Sequence, residues 1–192
     1  MAWDVDLAHS SLEFAVRHMV ISTVKGTFSD FTVEPHIDAD DIARSSGTVK
    51  VNVASLDTHE PRRDTHLRSA DFFDVEHFPT MTYTVKSVEQ DDGEYRIVGD
   101  LTIRDTTREV ALRAEVSGPV TDPFGGTRIG VSATGKLNRH DFGLDWSVVT
   151  ETGGLLVGDD VKISLEAEFV LAQPAAEENA PEAVLEGAPA NK

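Results

Sequence analysis

Hydrophobic and polar residues alternate with a period of two along most of the chain. The clearest runs are residues 11–18, 49–53, 81–86, 110–116, 129–137 and 161–169. Strict alternation gives a β-strand one apolar and one polar face, because successive side chains point to opposite sides of the sheet. The sequence Asp91-Asp92-Gly93 between two strand-like stretches predicts a hairpin turn. The pattern therefore predicts an all-β protein with about eight antiparallel strands in a barrel or a sandwich.

Residues 58–79 do not follow the alternation. Helix start and stop signals occur near Pro61 and at Ser69-Ala70-Asp71, and Pro79 ends the segment. We expect one or two short helices here, lying over an end of the sheet. A second, weaker helical turn is expected at residues 38–43.

The polar strand faces carry Lys, Glu, Arg, Thr and Ser. A barrel embedded in a membrane needs an apolar exterior and a polar lumen, which is the reverse arrangement. The apolar face must therefore point inward. The interior of a small barrel is either filled by side chains or just wide enough for one small ligand, and composition does not choose between the two.

The charge balance argues against two classes of partner. The chain has 34 acidic residues against 17 Lys and Arg, giving a formal net charge of -17. Nucleic acids and anionic membrane surfaces would repel such a protein, although a local basic patch is compatible with the sequence. No apolar run is long enough to span a membrane as a helix, so we expect a protein that is not membrane-integral. There are no cysteines, which excludes disulfides and thiolate metal sites.

The two ends of the chain differ from its centre. Residues 1–6 show neither the basic nor the apolar region of a secretion signal, which predicts a cytoplasmic protein. Residues 174–192 are mostly Ala, Glu, Pro, Gly and Asn, with Val184 and Leu185 as the only large aliphatic residues. Such a composition cannot bury enough surface to offset the loss of chain entropy. We therefore predict a barrel domain at residues 1–173 and a disordered acidic tail at 174–192.

The sequence offers no convincing catalytic or cofactor motif. His59, His66 and His77 share one segment with several carboxylates, but no HExxH motif or spacing places three ligands on one face. No GxSxG elbow marks a nucleophilic serine. The glycine pairs at 125–126 and 153–154 lack the phosphate-loop pattern and are interpreted as turns. We accordingly expect no catalysis, no metal and no cofactor.

A series of short motifs, each weak alone, becomes specific through its order and spacing. The motifs are Asp6-Leu7-Ala8-His9-Ser10 with Phe14, Arg17-His18-Met19, Val24-Lys25-Gly26-Thr27-Phe28 with Phe31, Arg63-Asp64-Thr65-His66-Leu67, Ser69-Ala70-Asp71-Phe72-Phe73-Asp74 with Phe78-Pro79, Gly99-Asp100-Leu101-Thr102-Ile103, Arg139-His140-Asp141-Phe142-Gly143-Leu144, and Gly153 with Leu156-Val157-Gly158-Asp159. The chain thus resembles the YceI-like family of bacterial polyisoprenoid-binding proteins. The resemblance covers about residues 3–171.

The resemblance implies an extended lipocalin-like barrel of eight antiparallel strands, a small helical segment and a long apolar tunnel. It also implies a ligand such as a polyisoprenoid, an isoprenoid quinone or a fatty-acid-like amphiphile, held for transport or storage. Several members of the family are dimers, so a homodimer is expected. Many members carry a secretion leader, and this sequence departs from that pattern.

The predicted tunnel lining combines inward strand residues with aromatic side chains that cannot all lie on the surface. These residues are Phe14, Val16, His18, Phe28, Phe31, Phe72, Phe73, Phe78, Met81, Tyr83, Val85, Phe142, Trp146, Ile163 and Leu165. The alternative for any one of them is ordinary packing in the core. Candidates for polar contacts at the head end of a ligand are Arg17, His18, Asp64, His66 and Tyr83. Arg63 and Asp64 are also expected to form a structural ion pair.

Two other functions remain open from the sequence. An enzyme acting on a prenyl or acyl substrate would need polar groups such as His18, Asp64 and Tyr83 to converge inside the tunnel. A stress-response or interaction module would instead have a filled barrel with no continuous cavity.

Overall fold

The structure is a computed structural model, and it describes residues 2–19, 21–148 and 156–172. Eleven strands occupy most of the described chain. They are β1 Trp3–Val5, β2 Ser11–His18, β3 Ser22–Phe28, β4 Phe31–His36, β5 Ser46–Asn52, β6 Leu56–Asp57, β7 Thr80–Asp91, β8 Glu94–Ile103, β9 Thr106–Thr121, β10 Thr127–Asn138 and β11 Val157–Leu171. The helix α1 spans Pro61–Arg68, and short 3₁₀ helices span Leu7–His9, Ile42–Arg44, Val53–Ser55 and Arg139–Phe142.

The strands form one curled antiparallel sheet. Its hydrogen-bonded order is β4-β5-β7-β8-β9-β10-β11-β2-β3-β6, and β1 pairs with β11. The sheet curls into a half-barrel, and β1 packs against β4. The predicted antiparallel barrel is confirmed. The described strands number eleven rather than eight, partly because strands as short as β1 and β6 carry no readable alternation.

The core follows the predicted alternation. On β9, Val110, Leu112 and Ala114 are buried, whereas the residues between them are exposed. Their side chains meet others from facing strands inside the barrel, including Phe28 and Val51. Apolar side chains removed from water in this way supply most of the favourable free energy of folding. The inward apolar face therefore belongs to the barrel interior, as the sequence predicts.

One β-bulge changes the face that β7 presents. The pairing of β7 with β8 shifts between Val85 and Ser87, so one residue of β7 has no opposite partner. Strict alternation would place Val85 inward and Val88 outward. The extra residue reverses the parity, and Val88 becomes buried while Lys86 reaches Asp100 and Glu109 outside.

The helical segment lies where the sequence predicts a helix. Pro61 occupies the first turn of α1, and the Glu60 carboxylate accepts hydrogen bonds from Arg62 N at 3.3 Å and Arg63 N at 2.6 Å. The expected Arg63–Asp64 ion pair is wrong. Asp64 accepts a hydrogen bond from Thr58 N at 3.0 Å, and Arg63 Nε donates to Thr58 Oγ1 at 2.7 Å. Both side chains therefore hold the turn before the helix through Thr58.

Of the remaining sequence predictions, some concern residues that the structure describes and one lies outside them. The Asp91-Asp92-Gly93 hairpin is confirmed, with left-handed backbone at Asp92 and Gly93 joining β7 to β8. The weak turn expected at residues 38–43 appears as Ile42–Arg44, capped by Asp41. The predicted tail at 174–192 lies outside the described residues. In the part of the chain that the structure describes, no helix has the length and apolarity needed to cross a membrane.

Candidate functional site

Two apolar cavities lie one after the other inside the barrel, and we call them the interior cavities. Each has a volume of about 130 Å³. One extends towards Ile42–Arg44 and the other towards the residues after α1, such as Phe73. They share four lining residues, which are Val49, Tyr83, Leu112 and Leu165. Because the same side chains border both cavities, the two lie end to end, and movement of these side chains would join them into one apolar path along the barrel.

Tyr83 stands at the junction of the interior cavities. Its ring lies over Gly99, where a Cβ atom would come within 2.6 Å of Tyr83 Cζ. The phenol donates a hydrogen bond to the Val110 carbonyl at 3.0 Å, and burial raises the pKa of this phenol. The hydroxyl is therefore neutral at physiological pH and directed at the backbone rather than into the cavity.

A third cavity, which we call the end cavity, lies between the β2–β3 hairpin, α1 and the segment after Arg139–Phe142. Its volume is about 310 Å³. Its polar lining consists of Arg17, His18, Arg62, Arg63 and His66. Its apolar lining consists of Phe14, Val16, Val24, Leu67, Phe72, Trp146, Leu156 and Val157. None of these described lining residues is acidic, although acidic residues outnumber Lys and Arg two to one in the chain.

Aromatic rings stand between the end cavity and the interior cavities. Phe14 borders the end cavity, whereas Phe28 and Phe73 border the interior. The ring centroids of Phe14 and Phe28 are 5.5 Å apart, and those of Phe28 and Phe73 are 6.1 Å apart. Contacting rings of this kind close the direct route between the cavities unless one of them changes rotamer.

The predicted tunnel residues fall into three groups. Those bordering the interior cavities are Phe28, Phe73, Met81, Tyr83, Val85, Ile163 and Leu165. Those bordering the end cavity are Phe14, Val16, His18, Phe72 and Trp146. Three others lie elsewhere: Phe31 and Phe142 are buried in the core, and Phe78 lies beneath the Arg104 guanidinium at 5.5 Å. The contact of these residues with a ligand stays a prediction.

Sequence reasoning missed several residues that border the interior cavities. Val49, Leu101, Ile103 and Leu112 line them, and all four alternate with polar or small neighbours on β5, β8 and β9. The alternation that identified Met81 and Ile163 was also present there. The alternation does not indicate which inward residues line a cavity and which pack against other side chains in the core.

Arg139 belongs to one of the sequence motifs but was not among the predicted site residues. Its side chain is 3% exposed, and its guanidinium donates to the carbonyls of Gly158, Leu144 and Trp146. It also contacts Asp159 at 3.3 Å. A buried arginine bound to three carbonyls fixes the segment that follows the Arg139–Phe142 helix. That segment carries Trp146 to the end cavity.

Trp146 closes one side of the end cavity through aromatic contacts. Its ring centroid is 4.6 Å from that of His66 and 5.4 Å from that of Phe72. His140 reinforces the same segment, with Nδ1 at 2.7 Å from Asp145 and Nε2 at 2.9 Å from Asp159. Hydrogen bonds to Asp145 and Asp159 raise the pKa of His140.

This histidine predicts a pH dependence. Because the folded protein raises the pKa of His140, its ion pairs contribute fully below the unfolded value of about 6.5. The contribution is lost as the pH rises through the folded pKa. As the pH rises from the unfolded pKa to the folded pKa of His140, we expect the free energy of unfolding of the wild-type protein, measured by urea titration, to fall relative to that of His140→Gln. The effect should be small, since exposed ion pairs contribute at most about 1 kcal/mol. Parallel pH profiles for the two proteins would contradict the assignment.

The described polar clusters are engaged in ion pairs and hydrogen bonds of their own. Asp6, His9 and Glu168 lie close enough to share an ion, but the Arg128 guanidinium contacts both carboxylates. The histidines of the helical segment each contact a carboxylate of their own, in the pairs His59–Asp57, His66–Asp71 and His77–Asp74. His18 borders the end cavity and Tyr83 the interior, while Asp64 is bound to Thr58. These groups do not converge on one point.

A further depression is an open groove of about 670 Å³ bordered by five strands and the β7–β8 hairpin. Many of its residues are charged and point outward, including Lys25, Arg113 and Lys162. Arg113 pairs with Glu94, and Lys136 pairs with Asp160. An apolar molecule would bind less favourably in this groove than in the interior cavities, because the groove is lined by charged, ion-paired side chains.

Comparison with known proteins identifies relatives over almost the whole described chain. The family described as YceI-like domain matches residues 3–169. A UPF0312 protein of Staphylococcus aureus strain MSSA476 is 38% identical over 169 residues, covering 88% of this chain and 96% of the relative.

Solved structures show the same fold. The YCEI protein of Campylobacter jejuni is 32% identical with a TM-score of 0.70, covering 82% of this chain and 90% of that one. A polyisoprenoid binding domain from Saccharophagus degradans, implicated in plant cell wall breakdown, has a TM-score of 0.66 at 14% identity. That match covers 90% of this chain and 99% of the domain, and at such low identity it demonstrates the fold alone.

Proposed function

Since the chain belongs to the family of YceI-like domains, we propose that its barrel binds one long apolar molecule as a carrier or storage protein. The observation that carries this proposal is the pair of apolar interior cavities that lie end to end and share the lining residues Val49, Tyr83, Leu112 and Leu165. An apolar path through a barrel suits a chain-like ligand better than a compact one. Apolar walls favour such a ligand because each buried methylene contributes about 0.8 kcal/mol before ordering costs.

The dimensions of the path restrict the ligand. Each interior cavity measures about 130 Å³, below the roughly 300–1,000 Å³ of pockets that hold drug-sized molecules. The bound molecule must therefore be slender, and side chains must move to admit it. Met81 borders the cavity that extends towards Phe73 and is suited to this adjustment, because its unbranched side chain adopts many shapes.

An isoprenoid or a fatty-acyl chain meets these requirements. One solved structure of the same fold is a polyisoprenoid binding domain, and our proposal extends that ligand class to this barrel. The interior cavities are apolar, and the Tyr83 hydroxyl is already hydrogen-bonded to the Val110 carbonyl. Specificity would therefore depend on the length of the ligand chain and on polar groups outside the interior cavities. The end cavity supplies such groups in His18 and Arg62.

Binding without catalysis is favoured over an enzymatic role. A general acid or base must come within hydrogen-bond reach of the reacting atoms. The candidates His18, Asp64 and Tyr83 lie in three different surroundings. The separation of these three side chains supports a carrier rather than an enzyme. The resemblance of the YceI-like family to binding proteins supports the same conclusion.

The experiment is extraction of the purified protein with organic solvent, followed by mass spectrometry and by reloading with geranylgeraniol. We expect a long-chain apolar species to co-purify and geranylgeraniol to bind in stoichiometric amount. The small cavity volumes favour one rival, a filled barrel that acts as an interaction module. Recovery of no long-chain species, together with failure to load the probe, would replace the carrier by that rival.

A further inference from the structure

Three of the exposed large apolar side chains surround one end of the barrel, and we call them the apolar rim. They are Met19, Ile21 and Val148, with exposed fractions of 41%, 79% and 46%. Met19 N donates to the Leu156 carbonyl at 3.0 Å, and Leu156 N donates to the Val148 carbonyl at 2.9 Å. The two hydrogen bonds connect the β2–β3 hairpin, the segment after Arg139–Phe142 and the start of β11. The rim is therefore one surface rather than three scattered positions.

The apolar rim borders the end cavity. Leu156 lines that cavity, and so does His18, which precedes Met19. Arg17 and Arg62 also line it, and both are exposed. Apolar side chains beside arginines, with no acidic residue among the described lining of the cavity, are the combination that interfacial membrane-binding surfaces use.

We propose that this end of the barrel docks on the surface of an anionic lipid bilayer. The apolar rim would enter the headgroup region, and Arg62 would face the lipid phosphates. The inference rests on the proposed function, because a carrier of a long apolar molecule must exchange it with a membrane. The end cavity then provides the route from the bilayer towards the rings of Phe14, Phe28 and Phe73.

The net charge of -17 does not oppose this contact. At physiological ionic strength, charges are screened beyond about 8 Å, so the groups nearest the bilayer determine the interaction. Among the described residues these groups include the exposed Arg62, whereas the nearby carboxylates of Asp71 and Asp145 are each paired with a histidine. A second copy of the chain is a poorer partner for the same surface, since a two-fold contact would set the arginines against each other.

The chain contains a matched control for the rim. Phe124 is 93% exposed at the β9–β10 hairpin. That hairpin is near Val170 of β11, whereas the rim is near Val157. Thirteen residues of strand separate the two positions in the register, which corresponds to up to about 40 Å at the usual rise per residue. Ile21→Glu and Phe124→Glu therefore make the same chemical change on opposite parts of the barrel.

The experiment is flotation of the full chain with vesicles of phosphatidylcholine and phosphatidylglycerol in equal parts, and with vesicles of phosphatidylcholine alone. We expect binding to the anionic vesicles that weakens with added salt. Ile21→Glu should bind them at least about tenfold more weakly, and Arg62→Gln about fivefold more weakly. Phe124→Glu should bind as wild type does.

Three results would overturn the docking surface. They are no flotation with anionic vesicles, equal losses for Ile21→Glu and Phe124→Glu, or a loss that appears only as dimer dissociation in sedimentation. Geranylgeraniol affinity measured without vesicles separates this inference from the proposed function. Unchanged affinity in Ile21→Glu with lost flotation supports the docking surface. If wild type does not bind geranylgeraniol at all, the proposed function fails regardless of the vesicle result.

Discussion

Arg139→Met should destabilise the protein by about 3–5 kcal/mol, the usual cost of removing one partner from a buried charged network. Methionine fills a similar length but leaves the carbonyls of Gly158, Leu144 and Trp146 without their donor. Each buried acceptor left unpaired costs about 1–3 kcal/mol. Urea unfolding followed by circular dichroism measures the loss, and iodide quenching should show Trp146 more accessible.

Arg108→Met is the matched control for this prediction. Arg108 is exposed on β9, and its guanidinium donates to the carbonyl of the adjacent Thr107 at 3.0 Å. Surface changes of this kind usually stay within about 0.5 kcal/mol. A loss below about 1 kcal/mol in Arg139→Met, comparable with that of Arg108→Met, would mean that Arg139 does not anchor the segment carrying Trp146.

Val49→Phe should weaken geranylgeraniol binding by at least about tenfold, equivalent to about 1.4 kcal/mol. Val49 lies on β5 between Val33 of β4 and Tyr83 of β7, and it borders both interior cavities. A larger ring at this junction fills the space where the two cavities meet. Fluorescence titration or calorimetry on the delipidated protein measures the change in affinity.

Two further variants separate blockage from loss of stability. Lys50→Phe adds an aromatic ring to the outward face of the same strand, and it should leave the affinity unchanged. Val49→Ala destabilises the core but widens the junction, so it should retain binding. If Val49→Phe folds and binds geranylgeraniol as tightly as wild type, the ligand does not pass this junction.

Local stereochemistry made a large part of the fold predictable. Period-two alternation identified the strands, and it placed Met81, Ile163 and Leu165 on the inward face because side chains alternate along any extended backbone. Pro61 and the Asp92-Gly93 turn were equally readable, since their backbone preferences hold without tertiary contacts. The ordered motifs added the family, which the comparisons confirm.

The tertiary structure decided which of these inward residues border a space. Val49, Tyr83, Leu112 and Leu165 come from four strands that are far apart in sequence and meet only when the sheet curls. The bulge after Val85 likewise depends on pairing with β8, so no local pattern reveals that Val88 turns inward.

The tertiary structure also decided the hydrogen bonds of Arg139 and the position of the apolar rim. Arg139 binds carbonyls up to nineteen residues away, and the rim forms through Leu156, which bonds both to Met19 and to Val148. The sequence by itself determined a barrel with an apolar interior, because that information resides in the alternation of neighbouring residues. The positions of the interior cavities, the end cavity and the apolar rim were decided by strand register and sheet curvature, which arise only from long-range strand pairing.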